Sequence, residues 1–398
     1  MFGVMGANAQ KEIGSIATAG AFTTIVDVSA DPEHGTTSGG RAKGLWIDSP
    51  LQPYRSGGVV HFLTGAQDTY RYAVPDNIWT QANIIRQPSG PVRQSVNNNV
   101  YQDYDHRIWP FGVWANSGNV WAIGHHEWYG SVVTDDGIPG YAANPGHEWV
   151  STPLWMKSTS HGGAGSWSTK AYTTYPGSPP GRERLFLQPK SWVGNSYDTY
   201  YGFTRGTNIV YENGWYYSLC PIIEITDDAN NIVDMGFCMF RWDDLEDPTS
   251  TEFWNGSGWT ARNLASWQGM GGQTIYSFFK LTGIYPYAAH NRNDTLAQSI
   301  RYHEPTGQWL LFGYRTPGNF SYVRTKTLAN PRWEQNGATS ISLAGGGVAN
   351  DYVGFGYMTV FDPSQTDQNF LNIGNNPYVV VGEDHVRYKM QPLTINVV

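Results

Sequence analysis

Charge is scarce in this 398-residue chain. Asp, Glu, Lys and Arg together make up 15% of it, and the 25 Lys and Arg residues nowhere form a run. With 33 Asp and Glu residues the formal charge is −8. A phosphate backbone needs clustered cations to displace its counterions, so no nucleic-acid partner is expected. No apolar run reaches the ~18 residues of a membrane-crossing helix, so no membrane partner is expected either. Nor does any long stretch repeat its apolar residues at the 3.6-residue period of an amphipathic helix, which leaves strands. Cysteine is nearly absent: there are only Cys220 and Cys238. Each lies nine residues from Ala229, so on an unbulged hairpin turning there they face each other across adjacent strands. Both a strained cross-strand disulfide and two buried thiols fit that placement, and the redox compartment is left open.

Aromatic residues are abundant, at 15%, with 17 Trp and 25 Tyr. Most are expected to pack sheets. The surplus suggests a surface that stacks on flat ligands, and for an acidic protein sugars are the commonest such ligand. The amino terminus carries Ala7-Asn8-Ala9 before Gln10, like the small-residue end of a secretory signal. It has neither a charged start nor a full apolar stretch, and reads as a flexible tail.

The most informative stretch spans residues 202–254. Two apolar runs flank Glu212-Asn213-Gly214, and Asn-Gly supplies the positive φ angles of a tight type I′ hairpin. An Asp/Asn turn at 226–231 starts the next strand, giving an antiparallel meander. The meander recurs. Arg324, Leu328 and Pro331 repeat the spacing of Arg241, Leu245 and Pro248. Looser copies of the inner hairpin occupy 53–65, 112–125, 299–314 and 357–383. One such sheet cannot bury its face alone, so the expected fold is all-β, a single five-bladed β-propeller with blades of about seventy to eighty residues. Residues 1–40 are read as an amino-terminal segment whose strand at 22–28 completes the last blade, and 41–398 as the propeller.

Residues just ahead of each inner strand converge on one mouth of the central channel. They are Asp48 in blade 1; Asp105, His106 and Arg107 in blade 2; Arg205 and Asn208 in blade 3; His290, Arg292 and Asp294 in blade 4; and Asp351 in blade 5. Blade 2 also carries the dense run His125-His126-Glu127-Trp128-Tyr129, followed by a Gly/Pro-rich excursion at 137–146.

With these features the chain resembles the five-bladed propeller glycoside hydrolases, the arabinanases, xylosidases, fructosidases and anhydrogalactosidases. The resemblance is architectural and covers most of the chain. It implies that Asp48, in Ile47-Asp48-Ser49-Pro50, is the general base and that Asp105 holds the sugar and tunes the acid. The endings that run from Arg through Leu and Pro to Trp, at 241–254 and 324–333, are similar too. One position departs: where much of the group has an acidic Glu ahead of the third inner strand, this chain has Arg205. The acid must come from elsewhere, from Glu127 or Glu148, or from His290. A substrate clamp is expected from Trp109, His126, Trp128, Arg107, Arg205, Asn208 and Arg292.

Two carboxylates suit glycoside hydrolysis, because one must be ionised to activate water while the other is protonated to release the leaving oxygen. A separation of roughly 6.5–9.5 Å implies inversion and about 5–5.5 Å retention. The alternatives are a polysaccharide lyase, with His126 or His290 abstracting the proton beside a uronate carboxylate that Arg107, Arg205 or Arg292 neutralises, and a non-catalytic glycan-binding propeller. His125 and His126 are neighbours on a strand and point to opposite faces, so no metal site is assigned to them. The expectation is a polysaccharide or oligosaccharide partner, no required cofactor, room for a structural ion in the channel, and a secreted or extracellular location.

Overall fold

The computed structural model describes residues 11–30, 37–38, 41–42, 49–66, 68–75, 78–88, 90–94, 108–129, 149–169, 200–203, 206–225, 232–247, 250–261, 297–316, 319–333, 339–341, 357–383 and 386–398. Among them there is no α-helix. Asn213 and Gly214 take φ angles of 51° and 90°, so the Asn-Gly pair makes the left-handed turn expected of it. Val210–Glu212 and Trp215–Ile225 pair across that turn. Ile232–Trp242 and Glu252–Trp254 follow antiparallel, which completes one blade.

Four more units repeat this plan, and together they form a five-bladed β-propeller. Blade 1 is Gln52–Ser56, Val59–Ala66, Asp68–Val74 and Ile85–Arg86. Blade 2 is Ile108–Asn116, Asn119–Tyr129, Trp149–Ser158 and Trp167–Thr169. Blade 4 is Ala297–His303, Gln308–Thr316, Asn319–Thr325 and Thr339–Ser340. Blade 5 is Met358–Phe361, Tyr378–Glu383 and Arg387–Val397, and both Ile13–Thr18 and Thr23–Asp27 pair with its third strand. The ring is thus closed by strands from the two ends of the chain, so that parting them means breaking a hydrogen-bonded ladder.

Two features differ from a plain five-fold repeat. Inner strands begin at Gln52, Ile108, Val210, Ala297 and Met358, so the blades are unequal in length. Blades 2 and 3 are also one continuous sheet: Tyr200–Phe203 pairs in parallel with Trp149–Ser158 and antiparallel with Trp215–Ile225.

The core lies between blades. Phe111, Trp121, Trp155, Phe240 and Trp242 join blades 2 and 3, with Trp155 and Trp242 edge-on at 5.4 Å. Phe62, Phe361, Phe370 and Tyr388 join blades 1 and 5. A fully buried side chain of this size contributes about 1.5–3 kcal/mol, so the interfaces carry most of the stability. The repeats begin at equivalent places, with Arg241 and Arg324 on the third strands of blades 3 and 4 and Leu245 and Leu328 just after them, and the preceding blade grips each. Trp155 Nε1 donates to the Leu245 carbonyl at 3.0 Å. The Glu212 carboxylate accepts from Leu328 N at 2.7 Å and Trp309 Nε1 at 2.6 Å. Cys220 and Cys238 are direct cross-strand partners, both fully buried and both free thiols, and burial raises each thiol well above its ordinary pKa.

Candidate active site

All five inner strands run in the same sense along the channel. Four of their exit turns, around Gly57-Gly58, Ser117-Gly118, Asn213-Gly214 and Gly307, therefore lie at one end, and the strand starts lie at the other. The fifth exit is longer and crosses the hub. The Arg55 amide donates to Gln368 O at 2.8 Å, and the Arg55 guanidinium to Gln365 O at 2.8 Å. Asn369 pairs its side-chain amide with both backbone atoms of Ala115, at 2.6 and 3.1 Å. Asn372–Ile373 forms a parallel ladder with Tyr302 and His303. Residues 362–373 thus tie blade 5 to blades 1, 2 and 4 across the exit end. A tight bend is needed to do this, and Phe370 adopts φ 51° there while fully buried. The end where the inner strands begin is left as the candidate mouth.

Buried polar groups link the inner strands around the hub. Asn208 accepts from Ile300 N at 2.8 Å and donates to Ile300 O at 3.0 Å, joining blade 3 to blade 4. The Gln298 and Ser299 side chains accept from Met358 N and Val360 N of blade 5. Arg301 Nε donates to Val360 O; burial pulls this guanidinium down to about 9, against the opposing charge of Asp367.

Blades 1 and 2 meet at Gly65. Its N–H donates to Ser49 Oγ at 2.8 Å, while the place a Cβ would occupy lies 3.2 Å from Pro110 Cδ. A side chain at 65 would also meet the Asp68 carbonyl oxygen at 2.4 Å. Glycine therefore lets the two inner strands begin side by side. Ser49, fully buried, also meets Thr64 Oγ1 at 3.1 Å, and its carbonyl accepts from the Tyr388 hydroxyl. Neither Thr64 nor Tyr388 carries a local sequence signal for this role, since the contact with Tyr388 spans 339 residues.

The expected site residues divide by location. Asp48, Asp105, Arg107, Arg205, His290 and Arg292 lie outside the described residues, as do His106, Glu148, Asp294, Asp351 and the excursion at 137–146. His126, Glu127 and Trp128 lie on Asn119–Tyr129, opposite Thr152, Ser151 and Val150 in turn. His125 and His126 take consecutive places in that register, opposite Pro153 and Thr152. Trp109 is 4% exposed in the wall beside the mouth, and Asn208 has its amide engaged with Ile300. Among the described residues, no three His, Cys, Asp or Glu side chains gather in a group that could hold a metal ion.

No protein-family description and no curated protein matches this chain. Solved structures do. The α-L-arabinofuranosidase of Podospora anserina, in complex with cellotriose, is 11% identical over 96% of this chain and 97% of its own, with a TM-score of 0.42. An α-L-arabinanase of Penicillium chrysogenum, complexed with arabinobiose, is 12% identical over 90% of this chain and 79% of its own, at 0.40. A family 117 glycoside hydrolase of the marine bacterium Zobellia galactanivorans is 9% identical over 95% and 90%, at 0.42. Likenesses this distant leave the chemistry to be read from the chain's own residues.

Proposed function

We propose that this chain is a glycosidase that hydrolyses a polysaccharide or oligosaccharide at the mouth of the propeller, outside the cell. Asp48 is the general base and Asp105 the carboxylate that orients the sugar. Glu127 is the acid, with His290 as the alternative donor. Water attacks the anomeric carbon as Asp48 takes its proton; the glycosidic C–O bond breaks and the acid protonates the departing oxygen. His126, Trp128, Arg107, Arg205 and Arg292 form the clamp, which Trp109 and Asn208 support from the wall. No cofactor enters the scheme.

The observation that supports this reading is the shared contact at Gly65. Asp48 is bonded directly to Ser49, and Asp105 precedes Ile108 by three residues, a reach of at most about 11 Å. Ser49 and Pro110 both abut Gly65, which supports the reading that the two acids serve one mouth at the junction of neighbouring blades. So placed, one carboxylate can hold the sugar while the other activates water beside it.

The test is a screen of arabinan, arabinofuranosides and other plant, algal and bacterial polysaccharides, followed by both reducing ends and ultraviolet absorbance. Hydrolysis predicts new reducing ends without absorbance, and Asp48→Asn should abolish them while the protein stays folded. An absorbing product indicates elimination, and affinity without any product indicates a binding protein; either result overturns the proposal.

A further inference from the structure

Two buried hydroxyls, those of Thr64 and Tyr388, converge on Ser49, the residue that follows Asp48. Ser49 and Tyr388 are fully buried and Thr64 is 4% exposed. The Ser49 carbonyl can only accept, and the Tyr388 hydroxyl donates to it. Thr64 Oγ1 is within hydrogen-bond reach of the Tyr388 hydroxyl, of Ser49 Oγ at 3.1 Å and of the Ser49 carbonyl at 3.4 Å, and Ser49 Oγ accepts from Gly65 N. The set of bonds starts and finishes on Ser49. Pro50 adds a covalent restraint, because a residue before proline is confined to extended backbone. Ser49 is therefore fixed at its carbonyl, at its hydroxyl and in its backbone angles.

Tyr388 comes from the third strand of blade 5, the strand that also pairs with Thr23–Asp27, where Val26 stands opposite it. The same strand thus closes the ring and reaches the first residue described at the mouth of blade 1. A packing role needs only the ring of Tyr388, which sits among Phe62, Phe361 and Phe370. Its hydroxyl has a separate task.

We propose that Tyr388, acting through Ser49 and Thr64, is a positioning residue that fixes the peptide carrying the Asp48 carboxylate; this rests on the reading of Asp48 as the base. It touches no reacting atom. A base loosened by its removal stays chemically competent but spends less time aligned with water, so turnover falls and substrate affinity is kept. A misplacement on the order of 1 Å can cost about 100-fold.

The experiment compares Tyr388→Phe, Thr64→Val, Thr64→Ser and Asp48→Asn with the wild type, on the 4-nitrophenyl glycoside or polysaccharide that the wild type turns over fastest. Activity is expressed per folded protein. Tyr388→Phe and Thr64→Val should lower kcat by about 10- to 100-fold, leave KM within about twofold, and leave the acid limb of the kcat/KM pH profile in place, because the base keeps its chemistry. Thr64→Ser, which keeps the hydroxyl, should restore the wild-type kcat. A merely structural role predicts a lower melting temperature with kcat per folded protein unchanged. That result, with Asp48→Asn inactive, overturns the positioning role and leaves the base intact. Full activity in Asp48→Asn overturns the base itself, and the positioning role with it.

Discussion

Removing the Glu212 carboxylate tests how one blade is held to the next. Glu212 ends the inner strand of blade 3, and its two oxygens receive four donors from blade 4. Trp309 Nε1 reaches Oε1 at 2.6 Å; Thr327 Oγ1, Leu328 N and Ala329 N reach Oε2 at 2.7, 2.7 and 3.1 Å. Ala329 N also has Thr327 Oγ1 at 3.1 Å as a second acceptor, so three donors depend on the carboxylate. At about 1 kcal/mol for each stranded donor, Glu212→Ala should cost about 3 kcal/mol. Glu212→Gln can keep the three bonds at Oε2 by turning its amide nitrogen toward Trp309, which strands only the indole N–H and should cost about 1–2 kcal/mol. Urea unfolding followed by tryptophan fluorescence, with midpoint and slope both compared, reads the difference. If both variants lie within about 0.5 kcal/mol of the wild type, or if Gln is worse than Ala, the carboxylate is not the tie described here.

Acid stability should depend on His61, which burial, with help from the Arg71 charge, lowers to about 4. Between the ordinary histidine value and pH 4 only the unfolded chain binds that proton, so stability falls as pH falls through this window, by about 3 kcal/mol in all. His61→Gln should flatten the loss between pH 6.5 and 4 in a pH series of melting curves; an unchanged slope contradicts the assignment. Gly65→Ala should destabilise by about 2 kcal/mol, because the new Cβ meets a backbone oxygen that cannot swing aside; a melting temperature equal to wild type refutes the close approach. Cys220 and Cys238 should resist a thiol reagent in the folded protein and both react in denaturant. Immediate labelling of the native state, or no thiols on unfolding, goes against two buried free cysteines.

What could be read from the sequence was local. Asn213-Gly214 announced its turn because few residues tolerate two consecutive positive φ angles. Cys220 and Cys238 could be placed face to face because an unbulged antiparallel ladder preserves equal distances from its turn. The Arg-Leu-Pro repeat marked equivalent places in two blades, since Leu245 and Leu328 are both buried at blade interfaces. Long-range pairings left no such trace. Residues 362–373 look like a polar loop, and nothing in their composition says that Asn369 will meet Ala115. Tyr200–Phe203 joins two blades by a parallel pairing that no turn specifies. Asn208 was expected at the substrate because it precedes an inner strand, and its amide is found bonded to the neighbouring blade, a use that depends on where Ile300 arrives. Thr64 and Tyr388 were missed for the same reason.

The claim at the centre of this account is that Asp48 and Asp105 share one mouth. A crystal structure of the full chain that records the distance between their carboxyl groups tests it most directly. We expect both to face the mouth and to lie within about 10 Å of each other, close enough for the base and the orienting carboxylate to act on one sugar. Carboxyl groups turned to the outer rim, or set more than about 15 Å apart, would contradict a single sugar site served by both.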